Sequence, residues 1–533
     1  MKKTIYFYLT FIILKSSLSL AGTISITDYG ADPLSGDNTT AIQNAINAAI
    51  QSGDTLYIPC TSNGCVYITR TVNIQDNLRI VGDIGSTLKL KNDTSSNLMN
   101  IYGTNLNIII YNITFDGNYT RQGVTNSGNI IYVNLKSTNS AKSHISFYRC
   151  SFINQSFSSI NFWRDSDYTN YPGDVILTVF ESKFINGRDH ATNSYVPRFI
   201  SVVDGGILVV TNSFFDLGID IDLNNVGMPA ITSVNSASYW TDRLPNKLII
   251  KNNYFNRLGR GNADAMLGVV DLYARAEDSI IENNVFNKSN SRVISVKSNS
   301  SNVIIRGNNI INTNRAGCIL VEPVSQAPYT NGKNFVIEGN ICKDITGYGI
   351  LVNGYETTSD NDFLKNVNIS ANIVENIYKS GTSWGSGIVA IDVRDININN
   401  NTVKYLEAHG LWGYKTRGTI NISNNSVTGS SSYGIYLSSG LNNSIINIAN
   451  NIVDSAYAFG IIIDSSSGNL SNEVKISNNS VNNVQYYGGY QYCYRSSYSN
   501  LFILHNNSCI NSGTNYFQQF GNTTVKVNDN SWQ

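Results

Sequence analysis

Short runs patterned with a period of two recur along this chain, as in Val303-Ile304-Ile305, Val367-Asn368-Ile369, Ile420-Asn421-Ile422 and Val474-Lys475-Ile476. They are rich in β-branched residues and predict half-buried strands. Each is followed by asparagine, any residue, then an apolar residue. The series reads Asn212/Phe214, Asn253/Phe255, Asn284/Phe286, Asn309/Ile311, Asn340/Cys342 and Asn372/Val374. It continues Asn401/Val403, Asn425/Val427, Asn451/Val453, Asn479/Val481, Asn507/Cys509 and Asn530/Trp532, with spacings of 23 to 41 residues. Phe115, Phe152 and Phe184 extend the apolar column backwards without the asparagine.

A repeat of this length is the mark of a solenoid. No unit carries a helix-length 3.6-residue pattern, so the repeat predicts a parallel β-helix. An inward asparagine in the same slot of every coil meets its neighbours about 4.8 Å away, and such a ladder satisfies buried amides. A further strand follows in each coil, for example Arg292–Lys297, Gly317–Glu322, Gly410–Tyr414 and Gly434–Ser438. At the N-terminal end, Asp37-Asn38-Thr39-Thr40 reads as a helix start, and residues 41–50 carry apolar positions at helical spacing. This short α-helix would cap the open edge of the first coil, which begins at Thr55-Leu56-Tyr57-Ile58-Pro59. The reading is therefore all-β, with a cap and first coils over 22–80 and the β-helix over 81–533.

The opening segment carries a resemblance. Asp28-Tyr29-Gly30-Ala31-Asp32, then Gly36 to Ile46, then Leu56-Tyr57-Ile58-Pro59, resembles the start of the pectate-lyase-like superfamily, which includes polygalacturonases, alginate epimerases and phage tailspikes. The match covers roughly residues 24–67. It implies a right-handed parallel β-helix and a polysaccharide substrate, and it leaves a homotrimer open, although no segment reads as a coiled coil. It does not fix the reaction. Ala408-His409-Gly410 and Lys415-Thr416-Arg417 are preceded by no aspartate pair of the polygalacturonase kind, and Asp189-His190 lacks the proline of the epimerase motif. Neither mechanism is carried over.

Composition narrows the class. Formal net charge is zero and 14% of residues are charged, which speaks against a nucleic-acid binder. Lys2 and Lys3, an apolar run over Ile5–Leu14 and Ser19-Leu20-Ala21 read as a signal peptide over 1–21. No other stretch is long and apolar enough to span a bilayer. The expectation is a secreted or periplasmic protein. In that setting Cys60 and Cys65 are expected to close a small disulfide loop. Cys150, Cys342 and Cys509 read as buried apolar groups, and Cys318 and Cys493 have no evident partner in the sequence.

Aligning the inward pairs Ile294/Val296, Ile319/Val321, Ile350/Val352, Ile435/Leu437 and Ile461/Ile463 turns their neighbours outward. The expected outward column runs Asn134, Asp165, Asp204, Asn235, Asp271, Lys297, Glu322, Asn353, Ile391, Tyr414, Ser438, Asp464. A parallel column includes Tyr132, Trp163, Trp412 and Tyr436. Carboxylates between aromatic platforms are what a glycan-cleaving groove needs. Asp204, Asp271 and Glu322 would lie two coils apart in succession, about 9–10 Å, near the upper end of the inverting-glycosidase range. Lys297 lies between the last two, and a surface charge ladder is the alternative.

Three successive coils carry enlarged loops, at 186–198, 216–230 and 256–267. Eight of the 17 arginines fall between Arg149 and Arg275. Arg188, Arg257, Arg260 and Arg275 are candidates to bind an acidic sugar, with Tyr273 or His190 as proton acceptor for β-elimination, or they anchor the loops through nearby aspartates. Asp216, Asp220 and Asp222 are candidate calcium ligands. No Cys/His cluster has zinc spacing, and no other cofactor is indicated. Three functions follow: a polysaccharide hydrolase or lyase, a non-catalytic glycan-binding or adhesive surface protein, and a uronate epimerase.

Overall fold

A computed structural model of the chain describes residues 22–532 apart from 93–95, 120–127, 137–141, 166–174, 188–197, 204, 219–227, 235–245, 260–267, 273–274, 298, 323–331, 355–363, 380–384, 439–440, 442, 466–471, 486–490, 513–515 and 523. The expected signal peptide lies outside the described residues.

Each coil contributes one strand to each of three long parallel sheets. In coil order, the described strands number eighteen in the first sheet, seventeen in the second and sixteen in the third. The fold is a right-handed parallel β-helix. The sequence suggested two strands per coil; the chain makes three. The period-two run (Val303–Arg306) and the asparagine-bearing segment (Asn309–Thr313) are separate strands on different sheets. The residue between them turns a corner in the left-handed region: Gly307 has φ 63°, Asn283 φ 54° and Asn424 φ 57°. Glycine and asparagine tolerate that conformation best, which explains the doubled asparagines.

The helix Thr39–Ser52 buries Ile42, Ala45, Ile46 and Ala49 over the first coil and ends at Gly53 in the left-handed conformation. The asparagine ladder forms from Asn253 to Asn530. Asn372 shows the pattern: its Nδ2 donates to Asn401 Oδ1 and to the Ile337 carbonyl, both at 2.9 Å. Its Oδ1 accepts from the backbone N–H and the Nδ2 of Asn340, again at 2.9 Å. Every donor and acceptor of the buried amide is used. Two ladder assignments shift by one residue. Asn308, not Asn309, holds the ladder, with Ile310 in the core. Asn212 is itself the corner at φ 54°, so Ser213 takes the slot and Phe215 is buried. Below it the ladder continues through Ser182 and ends at Cys150, whose N–H donates to Ser182 Oγ at 3.2 Å.

Beside the ladder the core is a stack of rings, Phe115, Phe152, Phe184, Phe215, Phe255 and Phe286, with centroids 4.5 to 5.3 Å apart. In later coils the same column holds Ile310, Cys342, Val374 and Val403.

Cys60 and Cys65 form the expected disulfide. Cys150, Cys342 and Cys509 are buried as expected, but two core pairings were not foreseen. Cys318 pairs with Cys342 and Cys493 with Cys509, both inside the core, and Cys150 is left free and buried. Their partners lie 24 and 16 residues apart, separations that say nothing until the coil places both on facing strands. Three disulfides suit an exported protein. No helix among the described residues is long and apolar enough to cross a membrane.

Candidate functional site

The outer face of the third sheet carries the candidate groups. Its register corrects the sequence alignment. Lys297 pairs with Glu322, and Asn353, Ile391, Tyr414, Ser438 and Asp464 follow in one column, as expected. Before Lys297 the alignment slips. Asp271 stands opposite Ser295 and Thr232, two residues earlier along its strand than Lys297 on the next. Trp163 faces Asn134 and Val203 in the later column, while Asp165 pairs with Lys136. The slip arises because these strands are joined by loops of unequal length, and Phe162 has no second apolar residue two positions on to fix the register. Asp271 and Glu322 are therefore two coils and two residues apart, about 12 Å between Cα atoms rather than 9–10 Å. Asp204, His190, Arg188, Arg260, Tyr273, Asp220 and Asp222 lie outside the described residues, as does most of the three enlarged loops.

A charged centre forms around Asp271, on the strand Val270–Leu272. Asp271 is 1% exposed. One carboxylate oxygen accepts from the Gly268 N–H at 3.3 Å, and the other has no hydrogen-bond partner among the described residues. Burial raises its pKa to about 6, against the pull of Lys297, Arg292 and the Gly268 N–H, with Glu322 adding to the rise. Glu322 is held by Arg292 at 2.5 Å and by Lys297 at 3.9 Å, and the three side chains are only 12 to 19% exposed. Arg198 completes the group: burial pushes its guanidinium down to about 10, while the charge of Asp271 opposes the fall. One protonatable carboxyl thus sits among three basic side chains, two of which also hold Glu322.

Toward the C-terminal end the same face becomes aromatic. Trp412 and Tyr436 pair in register, as do Tyr433, Phe459 and Tyr492. His409 stacks on Tyr433 at 5.0 Å and meets Trp412 edge-on at 5.4 Å. Burial lowers its pKa to about 4, helped by Lys379, so it is neutral at ordinary pH. Trp412 donates from Nε1 to Ser438 Oγ at 3.3 Å, and Lys415 lies over the Tyr414 ring at 5.4 Å. Between centre and aromatics, Leu320, Leu351 and Val389 make an outward yet buried apolar patch.

Two arginines expected at the site are engaged elsewhere. Arg257 lies on the second sheet, in the strand Tyr254–Leu258, and grips Asp216 bidentately at 2.9 and 2.7 Å. Asp216 also accepts from Asn256 and from the Gly218 N–H. This is the loop-anchoring alternative, and it occupies one of the candidate calcium ligands. Arg275 pairs with Glu277 at the edge of the coil. Among the described residues no three His, Cys, Asp or Glu groups gather for a metal.

Arg198, Arg292, Tyr433, Phe459 and Tyr492 were missed by the sequence reading. Each stands three residues before an outward strand position, as Arg292 does before Ser295 and Tyr433 before Tyr436. That strand-entry position turns outward at the coil corner, and a three-residue offset is the signal that would have found it.

No family model matches the chain, and no curated protein sequence matches it. Solved structures do. A periplasmic alginate epimerase is 11% identical, covers 76% of this chain and 77% of its own, and superposes with a TM-score of 0.37. The catalytic unit of an α-1,3-glucanase from Streptomyces thermodiastaticus is 14% identical, covering 96% and 70%, with a TM-score of 0.39. A surface adhesin of Streptococcus pneumoniae is 16% identical, covering 84% and 93%, with a TM-score of 0.34. What the chain itself shows is three long parallel sheets stacked coil on coil.

Proposed function

We propose that this exported β-helix binds a polysaccharide along the outer face of its third sheet and cleaves it at the charged centre. The observation that carries the reading is Asp271: a buried carboxyl with one oxygen unpartnered among the described residues, its pKa raised to about 6, on a face otherwise laid out for binding. A carboxyl poised in this way donates a proton at near-neutral pH, the step that departure of a glycosidic oxygen requires. Glu322, held by Arg292 and Lys297, is the partner carboxyl group. A Cα spacing of about 12 Å favours action through an intervening water over direct attack, the inverting arrangement among hydrolases. Arg198, Arg292 and Lys297 suit an acidic sugar beside the cleaved bond, which keeps β-elimination as the alternative chemistry. Trp412, Tyr414 and Tyr436 supply ring faces for flanking units, and Trp163 a further one.

The ion pairs of Glu322 favour a second reading, a glycan-binding surface without catalysis in which the charges only hold coils together. One experiment separates them. Purified protein is screened against plant and bacterial polysaccharides for new reducing ends and for the ultraviolet absorbance of an unsaturated product. On an identified substrate, Asp271→Asn and Glu322→Gln are expected to abolish release while binding persists. Full activity in both variants would refute the cleavage centre.

A further inference from the structure

We infer that the first coils of the third sheet carry a separate subsite for neutral hexose units; this rests on the reading of that face as a polysaccharide track. Two adjoining clefts open there, of about 550 and 580 Å³, sharing Gln75 and Tyr102. Asn73, Asn100 and Tyr132 stand in one register column, and Tyr102 and Asn134 in the next. The amides are chained in one direction. Asn129 Nδ2 donates to Asn97 Oδ1 at 3.1 Å, Asn97 Nδ2 to Asn100 Oδ1 at 2.8 Å, and Asn100 Nδ2 to Asn73 Oδ1 at 3.1 Å. Their orientation is set before any ligand arrives, which lowers the entropy lost on binding. Asn134 Oδ1, at the wall of the cleft, has no partner among the described residues.

The chemistry of this lining selects its ligand. A sugar hydroxyl both donates and accepts, and so does an amide. Tyr102, 38% exposed, and Tyr132 offer ring faces to the apolar side of a pyranose. Among the described residues no lysine, arginine or histidine lines either cleft, and Asp76 in the outer one repels an anion. The charged centre at Asp271 lies five strands further along the sheet from Tyr102, about 24 Å away. The cleft therefore holds an uncharged stretch of the polymer well away from the bond that is cleaved.

The test is calorimetric titration of the intact protein with cellohexaose, maltohexaose, mannohexaose and a galacturonate hexamer. At least one neutral hexaose is expected to bind, and Tyr102→Ala and Tyr132→Ala each to weaken it about fivefold or more. Melting curves check that the variants are folded. The subsite is overturned if no neutral hexaose binds, if the double tyrosine variant binds it unchanged, or if the tyrosine changes weaken only the acidic hexamer. Turnover retained in Asp271→Asn would remove the cleavage centre and leave the tyrosine result standing, so the two failures are distinguishable.

Discussion

Replacing Asp271 with asparagine should make stability less sensitive to pH, with a sign fixed by linkage. In the folded chain the carboxyl keeps its proton up to about pH 6; its ordinary pKa is 3.8. Between those values the folded state binds more protons than the unfolded one, so stability falls as pH rises. A rise of about two pKa units is worth about 3 kcal/mol, of which about 2–3 kcal/mol develops between pH 4 and 7.5. Asparagine has nearly the same shape and no titration. Relative to the wild type, Asp271→Asn should therefore gain about 2–3 kcal/mol on moving from pH 4 to 7.5. All other titrating groups cancel in that difference to the extent that they are not coupled to Asp271. A solenoid unfolds in segments, so the reporter should be local: amide exchange of Val270–Leu272 and its neighbours, corrected for intrinsic rates at each pH. A gain below about 1 kcal/mol, or one of opposite sign, would refute the picture of a carboxyl held protonated by burial.

Other perturbations give sharp outcomes. If Asp271 is the acid, kcat/KM on the identified substrate should fall as pH rises above about 6, and a flat profile to pH 8 would exclude that role. Asn372→Ala strands two donors of Asn340 and should destabilise its coils by about 2–5 kcal/mol in chemical denaturation. Arg257→Ala leaves Asp216 without its bidentate partner and should cost about 3 kcal/mol of stability while leaving glycan affinity unchanged in titration.

The solenoid was legible because its signal is repeated: asparagine and apolar residues return in every coil, and one coil corrects the next. The misassignments fell where a single coil was ambiguous. Asn308 and Asn309 are adjacent, and only the left-handed corner at Gly307 decides between them. The outer face was legible from Lys297 onward, where inward pairs such as Ile319/Val321 repeat without interruption. For Asp165 and Asp271 it failed because a register error of two residues keeps a side chain on the same face and so leaves no contradiction in the hydrophobic pattern, whereas at Asp204 and Asn235 the expected column ran one residue past Val203 and Val234. Arg198 and Arg292 were invisible for another reason: at the coil corner strict alternation ends, and the outward direction depends on backbone geometry that hydrophobic patterning does not encode.

The core disulfides follow a rule that the chain also states in glycine. In five coils a glycine that opens the third-sheet strand lies against a second-sheet valine. A β-carbon built on Gly349, Gly387, Gly410, Gly434 or Gly460 would fall 2.3 to 2.4 Å from Val374, Val403, Val427, Val453 or Val481 respectively. The coil before this series has Cys318 and Cys342 in the equivalent places, and the coil after it has Cys493 and Cys509. Phenylalanine holds the second-sheet position from Phe115 to Phe286 and Ile310 follows, so the ring stack ends one coil before the first of these disulfides. Gly410→Ala should therefore overpack the coil and destabilise it by about 1–3 kcal/mol. Val427→Ala in the same chain should recover part of the loss, a coupling read by a double-mutant cycle. The cysteine pairs span Cα distances of 5.9 and 6.0 Å, within ordinary disulfide reach. If the glycine–valine site is the same lattice position, the double substitution Gly410→Cys/Val427→Cys should be oxidised by a glutathione disulfide buffer to a third core disulfide, seen as the loss of two hydrogen atoms in mass and two thiols fewer in the unfolded protein than in its reduced form. A pair that stays reduced under conditions that keep Cys318–Cys342 oxidised would show that the glycine coils are narrower than the cysteine coils, and that the two disulfides mark a change in cross-section instead of sharing one geometry with the glycines.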